Sequence, residues 1–517
     1  MKNSSIKIII FSIICIGVWN ACNKDIVEKG ADLVALAPAK LDTNAGVWKT
    51  VLFVSPSDIA LAAPTATNSS DYQAEISNLK TTMGSLTNEQ KSAVQYWSGG
   101  VVLRWNQIMR ELVAKHNLPP VESPDGTYPI PDANNPFNYP TFPFSNPPYS
   151  ARAYAYASIS QYDALVTANF YKKQFNRALP SVLDASVVPS VPSKVTASYP
   201  SESAVIAAAS YQVLKRLFPT DTVYLFEKYN ESKNFDLWSG MAVQSDVTAG
   251  DNIGKSVAAK VMARAGADNM KFSVGNPTVW DSLANRIVSA GGTPWVSQEN
   301  PKRPPMLPLF GNVKTWLLTP ASLIAVRPAA PFAIGSAEFK AQLEEVKSEV
   351  TTNSTREKIA IVHFWADGVG TYTPPGHWNY LAAELIYSSK QSEVRSARNL
   401  ALLNMALMDA GVSCWDTKAV YYLPRPSQMD GNIKTLTGLP NFPSYTSGHS
   451  TFSGAAATIL GHIFPSESAR LNGLAEQASL SRLYGGIHYR MDCDAGLKSG
   501  NAIGDFAVQR AKIDGAE

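Results

Sequence analysis

Apolar residues recur at helical spacing through most of this 517-residue chain, and runs with strand-like alternation are scarce. That periodicity limits the fold more than any other feature. After Gly99-Gly100, the residues Val101, Trp105, Ile108, Met109, Leu112, Val113 and His116 follow one helical face, with a Thr87/Gln90 capping-box pair ahead of them. Residues 151–170, 201–218 and 246–265 read as Ala-rich helices. Ser336 is placed to cap a helix carrying Phe339, Leu343, Val346 and Val350. Further helices are predicted over 356–365, 377–389, 391–410, 448–464, 467–484 and 491–512. Two Pro-rich spans, 119–148 and about 277–333, interrupt the pattern, because proline lacks the N–H and clashes inside a helix. The expected fold is therefore all-α, with helical bundles in two halves. An irregular lead is expected over 22–85, an N-terminal helical half over 86–275, a Pro-rich connection over 276–335 and a C-terminal helical half over 336–517.

Hydrophobic residues make up 45% and charged residues 17%, as in a globular protein. A net charge of +3 on this length gives no reason to expect nucleic acid or an acidic surface as partner. The first 21 residues read as an export signal. Lys2 and Lys7 precede an apolar run from Ile8 to Val18, too short to span a bilayer. Asn20-Ala21-Cys22 then resembles a bacterial lipoprotein cleavage site, with lipid on Cys22. The expected location is the bacterial cell envelope, with the lipid as sole membrane attachment. Of four cysteines, Cys15 lies in the signal. Cys414 and Cys493 read as two buried thiols, with a disulfide between them as the alternative.

Three short elements in the last third carry chemistry. Lys418 precedes Arg425-Pro426 by about two helical turns, so both side chains are expected on one side, with Pro424 ending the helix. Lysine offers a point charge and arginine a planar fork for two oxygens. Next, Phe442-Pro443-Ser444-Tyr445-Thr446-Ser447-Gly448-His449 leads into an apolar helix. Ser447 and Gly448 then sit where free N–H groups and the helix dipole favour an anion, and His449 can trade a proton there. Third, Ser481-Arg482 is followed by Gly485-Gly486, His488 and Asp492. The glycines allow a break that lets Arg482 and His488 face one anion, and Asp492 can hold the His488 ring. A tetrahedral oxyanion in a partly buried site needs several such fixed cations to offset its desolvation. Taken singly, each element reads as a solvated helix face, a turn or a surface pair. Their succession within one short stretch is what points to an anion.

These elements resemble the Lys-x6-Arg-Pro, Pro-Ser-Gly-His and Ser-Arg-x5-His-x3-Asp motifs of the superfamily of vanadium-dependent haloperoxidases and type 2 phosphatidic-acid-phosphatase-like acid phosphatases. The departure is Thr446, where the family usually has Pro. Phe364-Trp365-Ala366-Asp367-Gly368, followed by Thr373-Pro374-Pro375, is similar to a segment of the haloperoxidase branch, as are Trp415 and Phe442. The likeness covers roughly 355–510. It implies that Lys418, Arg425, Arg482, Ser447 and the Gly448 N–H bind the oxygens of vanadate or phosphate. It implies His488 as axial vanadium ligand, or as phosphorus nucleophile, and His449 as acid–base residue. It implies an Asp367–Arg482 pair, and a halide pocket lined by Trp415 and Phe442, whose plain alternative is aromatic core packing. His363 and His377 flank Asp367 and are candidates for the layer behind the site; His462 reads as structural.

The leading expectation is a vanadate-dependent haloperoxidase-like enzyme that oxidises halide with hydrogen peroxide. The alternative within the superfamily is an acid phosphatase acting on phosphate monoesters through a phosphohistidine, with no vanadate. From another class, the alternative is a non-catalytic, helical, glycan-binding surface lipoprotein. The expected partners are small molecules: halide and peroxide, or a phosphate ester. Oligomeric state is left open.

Overall fold

The computed structural model describes residues 33–130, 132, 135, 139, 142–192 and 195–517. The segment expected to be an export signal, and Cys22, expected to carry lipid, lie outside the described residues. The longer helices are α1 (Ser70–Gly84), α2 (Asn88–Ser98), α3 (Val101–His116), α4 (Pro147–Phe175), α5 (Glu202–Leu217), α6 (Thr222–Trp238), α7 (Gln244–Gly266), α8 (Pro277–Ser289), α9 (Ala337–Glu349), α10 (Arg356–Phe364), α11 (Thr373–Ser388), α12 (Glu393–Tyr421), α13 (Gly448–Ile463), α14 (Ser468–Tyr484) and α15 (Arg490–Ile513). No β-strand occurs among the described residues, and the fold is all-α.

Four helical stretches depart from the sequence expectation. Helix α1 lies inside the lead expected to be irregular. Ser69 caps it, and only Tyr72, Ile76 and Leu79 are buried, a stripe too thin to stand out in a polar stretch. Helix α6 was not anticipated either, because its few buried residues, such as Leu225, Tyr229 and Phe235, are spread through charged sequence. Helix α8 sits in the second Pro-rich span because Pro277 is its first residue, where the missing N–H costs nothing, and Asn276 caps it. Helix α12 runs on to Tyr421 instead of stopping near 410. Gly411, just past the expected end, lies inside it. A Cβ there would come within 3.2–3.3 Å of the Phe452 and Phe310 rings, so glycine serves close packing.

One apolar core joins helices from both ends of the sequence. Trp105 and Ile108 of α3, Ile159 of α4, Leu403 and Leu407 of α12, and Phe452 and Ile459 of α13 all belong to it. Each such buried aliphatic side chain contributes roughly 1.5–3 kcal/mol relative to exposure. A buried amide network threads the same core. Asn404 Nδ2 donates to Ser158 Oγ at 2.8 Å and Asn379 Oδ1 at 2.9 Å, and Asn106 Nδ2 reaches that Asn379 oxygen at 2.8 Å. These bonds set the register of α3, α4, α11 and α12. Helix α15 lies tightly along α13: a Cβ on Gly500 would sit 2.3 Å from the Thr451 carbonyl oxygen. That close approach places the start of α15, with Asp492, beside the start of α13, with Ser447. Cys414 and Cys493 are buried free thiols, as expected.

Candidate functional site

Helix α12 ends when Tyr422 turns into the left-handed conformation (φ 47°) and its N–H bonds the Lys418 carbonyl. The helix therefore stops earlier than the expected end at Pro424. The chain has left the helix before Arg425, which caps a short turn at Pro426–Met429. Both side chains still point into one buried space. Lys418 Nζ donates to the carbonyls of Pro443 (2.7 Å), Ser444 (2.9 Å) and Thr446 (2.5 Å). All three of its donors are taken, so this side chain organises the 443–446 loop; burial lowers its pKa to about 7, and in its protonated form it adds positive charge to the site. Arg425 Nε donates to Phe442 O at 3.0 Å and Nη1 to Ile487 O at 2.7 Å. Nη1 also lies 3.1 Å from His488 Nε2.

Ser447 caps α13, its hydroxyl accepting the Ser450 N–H at 3.3 Å. Its own N–H donates to the Asp492 carbonyl at 3.0 Å, tying the loop to α15. Helix α14 ends at Tyr484, and Gly486 at φ 75° reverses the chain, as the glycine pair led one to expect. His488 follows just ahead of α15. Its Nδ1 lies 2.9 Å from Asp492 Oδ2. That carboxylate also accepts the Ser444 hydroxyl at 2.5 Å and the Tyr489 N–H at 3.2 Å. Nδ1 is thus the protonated nitrogen, and the Nε2 lone pair accepts the Arg425 Nη1–H. Ser444 went unrecognised in the sequence because Ser447, at the helix start, was the more visible serine of that loop.

Arg482 bonds Ser481 Oγ at 2.9 Å and Val362 O at 3.2 Å. The expected Asp367–Arg482 pair is not formed. Asp367 instead takes His377 Nδ1 at 3.0 Å and stands 3.5 Å from His449 Nε2. The reason is local. Asp367 adopts a left-handed backbone (φ 44°) just beyond α10, while His377 stacks on Trp365 at 4.3 Å and meets the carboxylate from α11. His363 is exposed, and His462 pairs with Glu517 at 2.8 Å, away from the site.

Trp415 and Phe442 pack at 5.0 Å between ring centroids, tilted by 48°. The Trp415 indole N–H donates to Met306 O at 3.1 Å. Lys418 Nζ and Arg425 Cζ each lie 5.0 Å from the Phe442 ring centroid, so the aromatic pair walls the cationic group.

Three cations are buried here with two carboxylates, Asp492 near Lys418 and Arg425 and Asp367 near Arg482. Burial pushes Arg425 down to about 9 and Arg482 down to about 10. Burial and the Arg482 charge bring His449 down to about 4 against the pull of Asp367. His488 is driven well below the ordinary imidazole value by burial and by the fields of Arg425, Lys418, Arg482 and His449. Both imidazoles are neutral, and those side chains all act on one point. Arg425 Nη2, His449 Nε2 and Asp492 Oδ1 are buried with no hydrogen-bond partner. A Cβ on Gly448 would meet nothing nearer than 3.9 Å, so the backbone leaves room at the helix start. The unpaired Arg425 Nη2 donor, excess positive charge and a helix N-terminus together fit a tetrahedral oxyanion.

Residues 399–511 match the family model described as the PAP2 superfamily. Among solved structures, the chain is similar to a bacterial vanadium-dependent iodoperoxidase. The identity is 21% and the TM-score 0.59, covering 79% of this chain and 96% of that one. It is also similar to an apo-type bacterial vanadium-dependent chloroperoxidase, at 14% identity and a TM-score of 0.51, covering 70% of this chain and 92% of that one. A search of curated protein sequences finds no significant match. The 399–511 segment that matches the PAP2 superfamily thus lies on an all-α fold shared with solved vanadium-dependent haloperoxidases. No described helix is long and apolar enough to cross a membrane.

Proposed function

We propose that the chain is a vanadate-dependent haloperoxidase-like enzyme that oxidises halide with hydrogen peroxide. The observation that carries this reading is the aromatic wall against the cations. Trp415 and Phe442 close one side of the Lys418 and Arg425 charges. A halide is a polarisable, weakly hydrated anion, and it gains from a fixed positive field beside apolar rings rather than from a dense set of hydrogen bonds.

Arg425, Arg482, the Ser447 hydroxyl and the Gly448 N–H would hold the oxygens of vanadate, with Lys418 adding charge and His488 Nε2 as the nitrogen that would bind the metal. Bound vanadate would supply the Lewis acidity that activates peroxide towards halide without itself changing redox state. Asp492 fixes the His488 tautomer through Nδ1 and keeps Nε2 unprotonated. His449, held neutral by burial, would serve as the acid–base residue, its ring taking a proton from peroxide and giving one back. Asp367 steadies that ring and favours its protonated form once a proton has been accepted. Export to the cell envelope, with lipid on Cys22, is part of the same proposal.

A second reading has its own support. A neutral imidazole oriented by a carboxylate, as in His488–Asp492, is also a phosphorus nucleophile, and phosphate shares the shape and charge of vanadate. One purified sample decides between them. Vanadate-loaded protein with peroxide and bromide or iodide is expected to halogenate a phenolic dye, with little release of p-nitrophenol from its phosphate ester by the vanadate-free form. Strong phosphate release without halogenation would transfer the assignment to the phosphatase. Neither activity would overturn both.

A further inference from the structure

A cavity of about 760 Å³ lies outside the anion site, between the N-terminal end of α4, the C-terminal ends of α5 and α7, and the 303–307 segment. Its volume falls within the range of about 300–1,000 Å³ typical of small-molecule sites. None of the anion-site residues lines it. The two spaces share one wall. Met306 lines the cavity, while its backbone oxygen accepts the Trp415 indole N–H and its N–H donates to Asn441 O at 3.0 Å.

The lining is aromatic and basic. Tyr128, Tyr139, Phe142, Phe144 and Tyr149 supply rings. Five cations face two acids: Arg152, Lys215, Arg216, Lys271 and Arg303 against Asp132 and Asp268. Two of the cations are already neutralised. Arg152 pairs with Asp268 at 2.7 Å, and Arg303 takes Glu299 through two bonds of 2.7 and 2.8 Å. Asp268 is saturated further by the Tyr156 hydroxyl and the Met270 N–H. Lys215, Arg216 and Lys271 form no ion pair among the described residues, and Lys215 and Arg216 are adjacent at the end of α5. Partial burial, then the field of Arg216, also lower Lys215. Like charges gathered at the rim of an apolar hollow cost stability unless an anion sits between them.

We infer that this cavity binds an aromatic organic acid, with its ring body against the tyrosine and phenylalanine wall and its carboxylate or sulfonate at Lys215 and Arg216. The site is separate from the oxyanion cradle, so its occupancy does not depend on which reaction the enzyme performs.

The test uses the full chain, free of vanadate and peroxide, in dilute buffer. Calorimetric titration compares 8-anilino-1-naphthalenesulfonate with neutral N-phenyl-1-naphthylamine, the same ring body without the charge. The sulfonate is expected to bind one-to-one, about tenfold or more tightly than the amine, a difference of about 1.4 kcal/mol. The Lys215→Ala/Arg216→Ala variant should bring the two probes level. A Cβ on Gly266, which lines the cavity, meets no atom within 4 Å, so Gly266→Trp adds bulk without a backbone clash. That variant should weaken both probes about tenfold while circular dichroism stays unchanged. Equal affinities for the two probes in the parent chain, or sulfonate binding indifferent to both variants, would overturn the assignment. Because no turnover is measured, failure here leaves the haloperoxidase reading standing, and failure of that reading leaves this one intact.

Discussion

Two regions of this protein bury arginine in opposite ways. Near the end of α7, Arg152 is fully paired. Asp268 takes its Nε, the Ala265 carbonyl takes Nη2 at 2.8 Å, and its pKa is raised. In the C-terminal site, Arg425 and Arg482 are equally buried, yet their bonds go to neutral carbonyls, a hydroxyl and a neutral imidazole, and both are pushed down. Folding has neutralised the first arginine and left the other two with surplus charge. A buried charge without its counterion is costly, so the second arrangement persists where the counterion is a ligand. The unpartnered Arg425 Nη2 marks where that ligand belongs.

The largest effect expected from breaking the site half of this contrast is on turnover. His488→Ala should reduce halide oxidation, and any phosphate release, to background. His449→Ala should cost on the order of 10²–10⁴-fold, and Asp492→Asn, which loosens the His488 ring, about 10–100-fold. Steady-state rates on folded variants check these values, and full activity in His488→Ala would remove the site assignment.

The same substitution in the two regions sharpens the comparison. Arg152→Met strands the Asp268 carboxylate and should destabilise the fold by about 3–5 kcal/mol. Arg482→Met removes uncompensated charge and should change the stability of the anion-free protein by only about 1 kcal/mol. It should weaken orthovanadate binding by about 2–5 kcal/mol. Chemical denaturation and vanadate titration give both numbers. Equal destabilisation by the two variants would erase the distinction.

Stability should also depend on pH through the site. His449 and His488 are buried neutral, with folded values below the ordinary 6.5. Between those values the unfolded chain binds more protons, so stability rises with pH there and is lost as pH falls from about 6.5 towards about 4. Orthophosphate at about 100 times its Kd should restore about 2.7 kcal/mol. Thermal melts across pH, with and without phosphate, would show it; protection indifferent to phosphate counts against an anion site.

The smallest effect concerns Asp367. Its charge holds the His449 value up, so Asp367→Asn should move the acid limb of the pH–rate profile to lower pH, with little change in the maximal rate. An unmoved limb would make Asp367 purely structural.

Much of this was legible in the sequence because it is local. Helical periodicity, the Thr87/Gln90 box, the Ser336 cap and the Gly485-Gly486 break each depend on residues within a few positions, and the structure forms them all. The nomination of Lys418, Arg425, His449, Arg482 and His488 rested on short motifs of the same kind. What could not be read was who pairs with whom. Asp367 meets His377 and His449 rather than Arg482 because α10 and α11 present it that way, and Ser444 reaches Asp492 across 48 positions.

The sequence by itself determined that this chain is helical and which residue types could serve an oxyanion, since propensity, capping and charge are properties of neighbouring residues. Only the tertiary structure decided that Lys418 spends its donors on a loop, that Arg425 keeps one unpaired nitrogen, and that the cations outnumber the close carboxylates. Those outcomes follow from packing: helices far apart in the chain must meet before a buried charge has a partner or lacks one.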